Sequence, residues 1–247
     1  MPRLDLLVIQ EIPPKDRGGW RESVGPEAYN AIQLFMHFFP KTVLDGAGKV
    51  TIYVGKKPDD KPIYYYSDYF KVSMYYAGEE TENKRRQLKA EEWDDFYTDL
   101  IEKTLIDIAK RAGNEGVIPE IKRAISSVRS TGYKLLVPIK KLSKRSPNRM
   151  YQAVTYKYLT PQGELDFIEI TDKLKEKNTY VISDGYVKFP LEWYASKCEW
   201  TENRFVIKDR LDGIRAYVDA DTKSMYSLHN KNKTADRICI DEKDGVK

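Results

Sequence analysis

The sequence predicts an α+β protein: an N-terminal mixed α/β half with about three helices packed on a small sheet, then a mainly antiparallel β half. Three observations carry this. The helical apolar stripes all fall before about residue 131. From Tyr133 onward the chain is a series of short alternating segments parted by turn residues. Third, 41% hydrophobic and 32% charged residues in 247 are the proportions of a chain that buries a core. The expected division is 1–131, 132–230 and a polar tail, 231–247.

LDLLVIQ (4–10) is the first expected strand, and EIPPKDRGGWRES after it is a Pro- and Gly-rich loop. The first helix is expected from Pro26 to Phe39, with Pro26 at its start and Pro40 at its stop. Ala28, Ile32, Phe35 and Phe39 make its stripe, widened by Met36. Two strands follow, joined by a turn at KKPDDK; Val50, Ile52 and Val54 alternate onto one face of the first. The second, PIYYYSDYFKVSMYYAG (62–78), holds many of the 18 tyrosines. Run as one strand, it puts Tyr64, Tyr66, Phe70, Val72, Met74 and Tyr76 on an apolar face. Its other face, Ile63, Tyr65, Ser67, Tyr69, Lys71, Ser73 and Tyr75, is a ladder of hydroxyls and one amine. A bend at Ser67-Asp68 would break that phase.

GEETENKRRQLK is expected as a charged connection. The second long helix should run from Ala90 to Arg111, with Trp93, Tyr97, Leu100, Leu105 and Ile108 inward and Gly113 past its end. Its first half is acidic: Glu91, Glu92, Asp94, Asp95, Asp99 and Glu102. The helix dipole accounts for Glu91 to Asp95, but its reach ends within a turn, short of Asp99 and Glu102. A further helix spans 119–129 with Ile121, Ile125 and Val128 inward. Then come YKLLVPIKKL, the basic loop SKRSPNR, a hairpin of MYQAVTYKYLT and ELDFIEIT turning at PQG, and five more strands.

Net charge is +4, from 42 basic and 38 acidic residues, too slight to predict nucleic-acid binding. Two cysteines, Cys198 and Cys239, lack metal or redox spacing. The N-terminus lacks the pattern of a secretory signal, and no apolar run approaches the ~20 residues of a membrane span. A cytoplasmic protein without cofactor or metal is expected.

Few motifs suggest catalysis. RLDGIRAYVD (210–219) resembles the K-x-D-G-x-R core of nucleotidyltransferases, but Arg210 stands where the lysine nucleophile belongs, and a guanidinium is a poor nucleophile. The simpler reading is a turn at Leu211-Asp212-Gly213. GELDFIEITDK (163–173) resembles part of a PD-(D/E)xK nuclease core through Asp166, Glu169 and Lys173. Yet the spacing departs from that pattern, and Asp166 and Glu169 would face opposite sides of a strand. An ordinary hairpin strand with Leu165 and Phe167 inward is expected instead. DGAGK (45–49) enters a strand, so it is a turn and not a phosphate loop. His37 and His229, the only histidines, have no Ser or Cys constellation near them.

Binding therefore explains more than catalysis. Tyrosine presents large area at low entropic cost. Separate patches of opposite charge, including Lys140, Lys141, Lys144, Arg145 and Arg149, suit one protein partner. SVGPEAYNAIQLFMHFFP, GKVTIYVGKK, the tyrosine stretch and EEWDDFY resemble bacterial immunity proteins of polymorphic or contact-dependent toxin systems, over about the first 130 residues. The resemblance implies a cytosolic inhibitor of a cognate toxin domain. It implies Tyr65, Tyr69 and Tyr75 as anchors and Glu91, Asp95, Asp99 and Glu102 as a substrate-mimicking face. The alternative is a diverged metal-dependent nuclease or nucleic-acid-binding protein using Asp166, Glu169 and the basic loop.

Overall fold

Leu6–Glu11 forms β1, whose alternate residues Leu7 and Ile9 are almost fully buried. In chain order it is followed by α1 (Gly25–Phe38), β2 (Lys49–Val54), β3 (Tyr64–Ser67), β4 (Val72–Gly78), α2 (Glu79–Arg85), α3 (Trp93–Arg111) and α4 (Ile118–Ser130). The computed structural model describes residues 2–12, 24–183 and 191–228. The expected loop after β1, His229, Cys239 and the polar tail lie outside the described residues, wholly or in large part. Contacts divide the chain into two units, Met1–Tyr133 and Lys134–Lys247, so the boundary falls after Tyr133 instead of Thr131.

In the N-terminal unit the sheet order is β1-β2-β4-β3, with β1, β2 and β4 parallel and β3 antiparallel to β4. The register aligns Leu7, Val50 and Ser73, then Ile9, Ile52 and Tyr75, on one face. Helices α1 and α3 pack against this sheet, and α4 packs on both helices. Val50, Ile52, Phe35, Ile101, Leu105 and Ile108 are fully buried there, each worth about 2 kcal/mol.

Two expectations shift. The inward stripe of α1 is Ala28, Ala31, Leu34, Phe35 and Phe39, while Ile32 and Met36 are only half-buried. The supposed connection after residue 78 contains a helix, α2. Acids Glu79, Glu80 and Glu82 in its first turn and Lys84 and Arg85 in its last complement the dipole. Arg85 is 11% exposed and bonds both carboxylate oxygens of Glu27, at 3.1 and 2.9 Å, and lies 3.2 Å from Glu11. The Tyr97 hydroxyl donates to Glu27 at 2.6 Å. So α2 is tied to β1, α1 and α3 by charge, although none of its residues is buried.

The C-terminal unit holds β5 (Leu135–Pro138), β6 (Lys144–Arg145), β7 (Tyr151–Thr160), β8 (Gly163–Asp172), β9 (Lys177–Ser183), α5 (Leu191–Tyr194), β10 (Lys197–Thr201), β11 (Arg204–Lys208), β12 (Ile214–Asp219) and β13 (Ser224–Ser227). One antiparallel sheet runs β5-β7-β8-β9, with β6 on β7, and the other β10-β11-β12-β13. Ile168, Ile170, Tyr180 and Ile182 from the first share one core with Trp200, Phe205, Ile207, Ala216 and Val218 from the second. Alternation therefore points Glu164, Asp166, Ile168 and Ile170 towards that core. This corrects the expectation that Leu165 and Phe167 face it. Phe167 is buried on the other side of β8, stacked on Tyr156 at 5.2 Å, and Leu165 is half-exposed.

Candidate functional site: an aromatic hairpin

The tyrosine stretch is two strands and not one. β3 and β4 form an antiparallel pair with Tyr64 opposite Tyr75, Tyr65 opposite Met74, Tyr66 opposite Ser73 and Ser67 opposite Val72. Residues 68–71 make the turn. The Ser67 hydroxyl accepts from the Phe70 amide at 3.3 Å, and Lys71 takes φ 51°. The Lys71 ammonium reaches the Asp68 carboxylate at 2.5 Å. That contact holds the Asp68 carboxyl below the usual carboxylate range and raises the Lys71 amine.

Folding back at the turn reverses the phase, so the expected ladder splits. Tyr64, Tyr66, Ser73 and Tyr75 share the face towards the helices. Their hydroxyls are used internally. Tyr64 donates to Asp45 Oδ2 at 2.8 Å, and Ser73 donates to the same oxygen. Tyr66 bonds the Gly46 carbonyl at 3.3 Å and Asp68 at 3.2 Å. Tyr75 donates to Asp107 on α3 at 3.0 Å. Burial, then Asp45, pushes the Tyr64 phenol well above its ordinary value. Burial, then Asp107, pushes Tyr75 up to about 12. Asp45 itself is pinned by the DGAGK turn: its Oδ1 accepts from the Ala47 amide at 3.0 Å, and Gly46 sits at φ +93°.

The outward set is different. Tyr69 is 88% exposed, Phe70 72%, Tyr65 50% and Ile63 45%. Tyr69 and Phe70 meet edge to face at 4.8 Å and shield mainly each other. Phe70, expected in the core, is at the tip, because the turn removes it from the face it would occupy in a continuous strand. Of the three anchors the sequence suggests, Tyr65 and Tyr69 are available, and Tyr75 is bound to α3.

The acidic helix is also partly engaged. Arg129 on α4 lies 2.6 Å from Asp99 and 3.4 Å from Glu102. The Tyr133 hydroxyl donates to Asp95. Glu91 is exposed, in a short 3-10 turn before α3. Asp94, 6% exposed, accepts from the Asn30 amide at 3.0 Å, and burial first raises its carboxyl to about 6. Sequence reasoning missed this pair, since nothing in WDD separates the buried aspartate from the exposed one. Tyr75 meets α3 at Asp107, five residues after Glu102 and 16 after Glu91, and the tip is the 68–71 turn that precedes β4.

Lys140 and Lys141 lie in a 3-10 turn, Lys144 and Arg145 form β6, and Arg149 sits in the following turn at φ 59°. All five are exposed. Lys141 is structural as well: its ammonium donates to the carbonyls of Glu192 at 2.6 Å and Ala195 at 3.0 Å.

The catalytic resemblances do not converge. Asp166 is buried, and Glu169, on the opposite face of β8, lies 3.3 Å from Lys177. Among the described residues no group of three or more His, Cys, Asp or Glu could hold a metal ion. RLDGIR is the turn between β11 and β12. Asp209 accepts from the amides of Leu211 and Gly213 at 2.8 and 2.9 Å and from Arg215 at 2.9 Å. His37 ends α1 on the exposed side, edge-on to Phe38 at 5.0 Å. No helix among the described residues is long and apolar enough to cross a membrane. Comparisons with protein-family models, curated proteins and solved structures gave no match to this chain.

Proposed function

We propose that this chain is a protein-binding inhibitor whose primary contact is the tip of the β3–β4 hairpin. The observation that carries this reading is the pairing of opposites in one short element. Tyr69 and Phe70 are 88% and 72% exposed, while the base beneath them is held by hydroxyl–carboxylate bonds to Asp45 and Asp107. A rigid base with two large aromatics at its end places contact area at low entropic cost, and interface energy concentrates in such anchors. Asp68 and Lys71 neutralise each other at the tip, so the matching surface is an uncharged apolar cleft.

The partner class follows from the N-terminal resemblance: a toxin domain of the bacterial polymorphic or contact-dependent systems, neutralised in the cytosol. Because Asp95, Asp99 and Glu102 are paired within the unit, steric occlusion by the hairpin suits this chain better than mimicry of an anionic substrate. The test is capture of tagged chain from its native host, with nuclease treatment as control, comparing the wild type with a Tyr69→Ala/Phe70→Ala double variant. One stoichiometric protein, retained by the wild type after nuclease and lost with the double variant, is the expected result. Retention by the double variant sinks the hairpin reading. Capture of nucleic acid alone sinks the inhibitor reading and returns attention to the basic loop.

A further inference from the structure

The core of the C-terminal unit is apolar at one end and ionisable at the other. Glu164 and Asp166 are both 0% exposed, two residues apart on the core-facing side of β8. Lys157 on β7 is directly opposite Asp166 in the register, yet its ammonium is 2.9 Å from Glu192 on α5. On β9, Ser183 donates its hydroxyl to Asp166 Oδ2 at 2.8 Å. Asp166 Oδ1 is fully buried with no hydrogen-bond partner among the described residues. Tyr194 on α5 completes the cluster. Arg215 on β12 lies 5.9 Å from the Tyr194 ring, but its guanidinium is 2.7 Å from Asp209. Among the described residues, then, Asp166 shares this end with two further carboxyl groups, with a lysine whose ammonium lies against Glu192 and an arginine whose guanidinium lies against Asp209.

A buried carboxylate without a counter-ion is among the costliest groups a fold can hold, and protonation removes that cost. We propose that Asp166 is a neutral carboxylic acid in the folded protein, so that the C-terminal unit takes up a proton on folding and loosens as pH rises. The acid proton gives Oδ1 a donor to aim at the neighbouring carboxylates, while Oδ2 keeps the Ser183 bond. Burial first, and then the charge of Glu164, raise the Asp166 carboxyl to about 8; Ser183 and Lys157 pull the other way. In the unfolded chain an aspartate releases its proton near pH 4. Between these values the folded state holds one proton more than the unfolded state, so stability falls with rising pH across that window. Above it both states are ionised and the loss is complete. Most acids act in the opposite sense.

The test is hydrogen exchange, followed by mass spectrometry, on β8 and β9 peptides of the full chain and of Asp166→Asn, corrected for the intrinsic rate. One retained proton changes the opening equilibrium about tenfold per pH unit. The ratio of wild-type to variant protection should therefore fall ~100-fold between pH 5 and 7, a comparison that cancels the titrating groups that do not interact with Asp166. A ratio independent of pH overturns the proposal. If Asp166→Asn does not fold, infrared spectroscopy of the wild type at pH 7 decides. A protonated carboxyl stretch that disappears above pH 8, and that Ser183→Ala moves to higher pH, is expected. Asp94, raised to about 6, is largely ionised at pH 7. Absence of the band at that pH overturns the proposal.

Discussion

Six of the seven tyrosines and phenylalanines of one hairpin meet two fates. Tyr64, Tyr66 and Tyr75 turn towards the helices, and each hydroxyl bonds an oxygen of the same unit. Tyr65, Tyr69 and Phe70 turn outward or crown the tip at 50%, 88% and 72% exposure. Residue type does not separate the sets; what separates them is whether the fold sets a hydrogen-bond acceptor against the phenol, a carboxylate for Tyr64 and Tyr75 and the Gly46 carbonyl for Tyr66. Asp45 and Asp107 are the partners that offset the half-burial of Tyr64 and Tyr75, while Asp68 at the tip is paired with Lys71 and Tyr66. Aromatic richness is thus two properties at once, a packed polar base and an exposed aromatic tip.

The comparison can be broken from the inside. Asp45→Ala removes the acceptor of Tyr64, Ser73 and the Ala47 amide together. We expect a loss of about 3 kcal/mol in the N-terminal unit, since buried donors are left unpaired, read by denaturant unfolding. A change below the measurement error would mean that the base is not held through Asp45. Tyr75→Phe removes a single bond to a carboxylate that also pairs with Arg111 at 2.7 Å, so about 1 kcal/mol is expected. It should also delete a late phenol ionisation, near pH 12, from the absorbance titration. The smallest effect belongs to the exposed set. Tyr69→Ala/Phe70→Ala should leave stability within about 0.5 kcal/mol of the wild type, while partner capture is lost. A large destabilisation would show that the tip is packed, and the two sets would no longer differ.

Most of the helix stripes and the β-rich second half were legible in the sequence because they depend on local period. Ile121, Ile125 and Val128 are inward as their spacing requires. Asp166 and Glu169 do face opposite sides of a strand, as alternation alone dictates. The candidate site was half legible. Composition marked the tyrosine stretch, and a bend at Ser67-Asp68 was the feature that would break its phase, but period-two counting assumed one strand. The turn at 68–71 inverted the phase and sent Phe70 outward. Helix α2 was missed for the reverse reason: its signal is charge at its two ends, and it has no apolar stripe to find.

What the sequence determined by itself is the local order: helices where apolar residues recur every three or four positions, strands where they alternate, turns at DGAGK, PQG and LDG. Those choices depend on interactions within a few residues. Tertiary structure decided partnership. It brought Asp45 under Tyr64 and Ser73, Arg129 over Asp99 and Glu102, and Arg85 between Glu11 and Glu27. It also sealed Asp166 in a core with its lysine turned to Glu192. Each of these joins residues separated along the chain, and charge carries no period from which such a pairing could be read. Which tyrosine is a strut and which stays exposed, and which aspartate is sealed from solvent, depends on the neighbour that folding supplies.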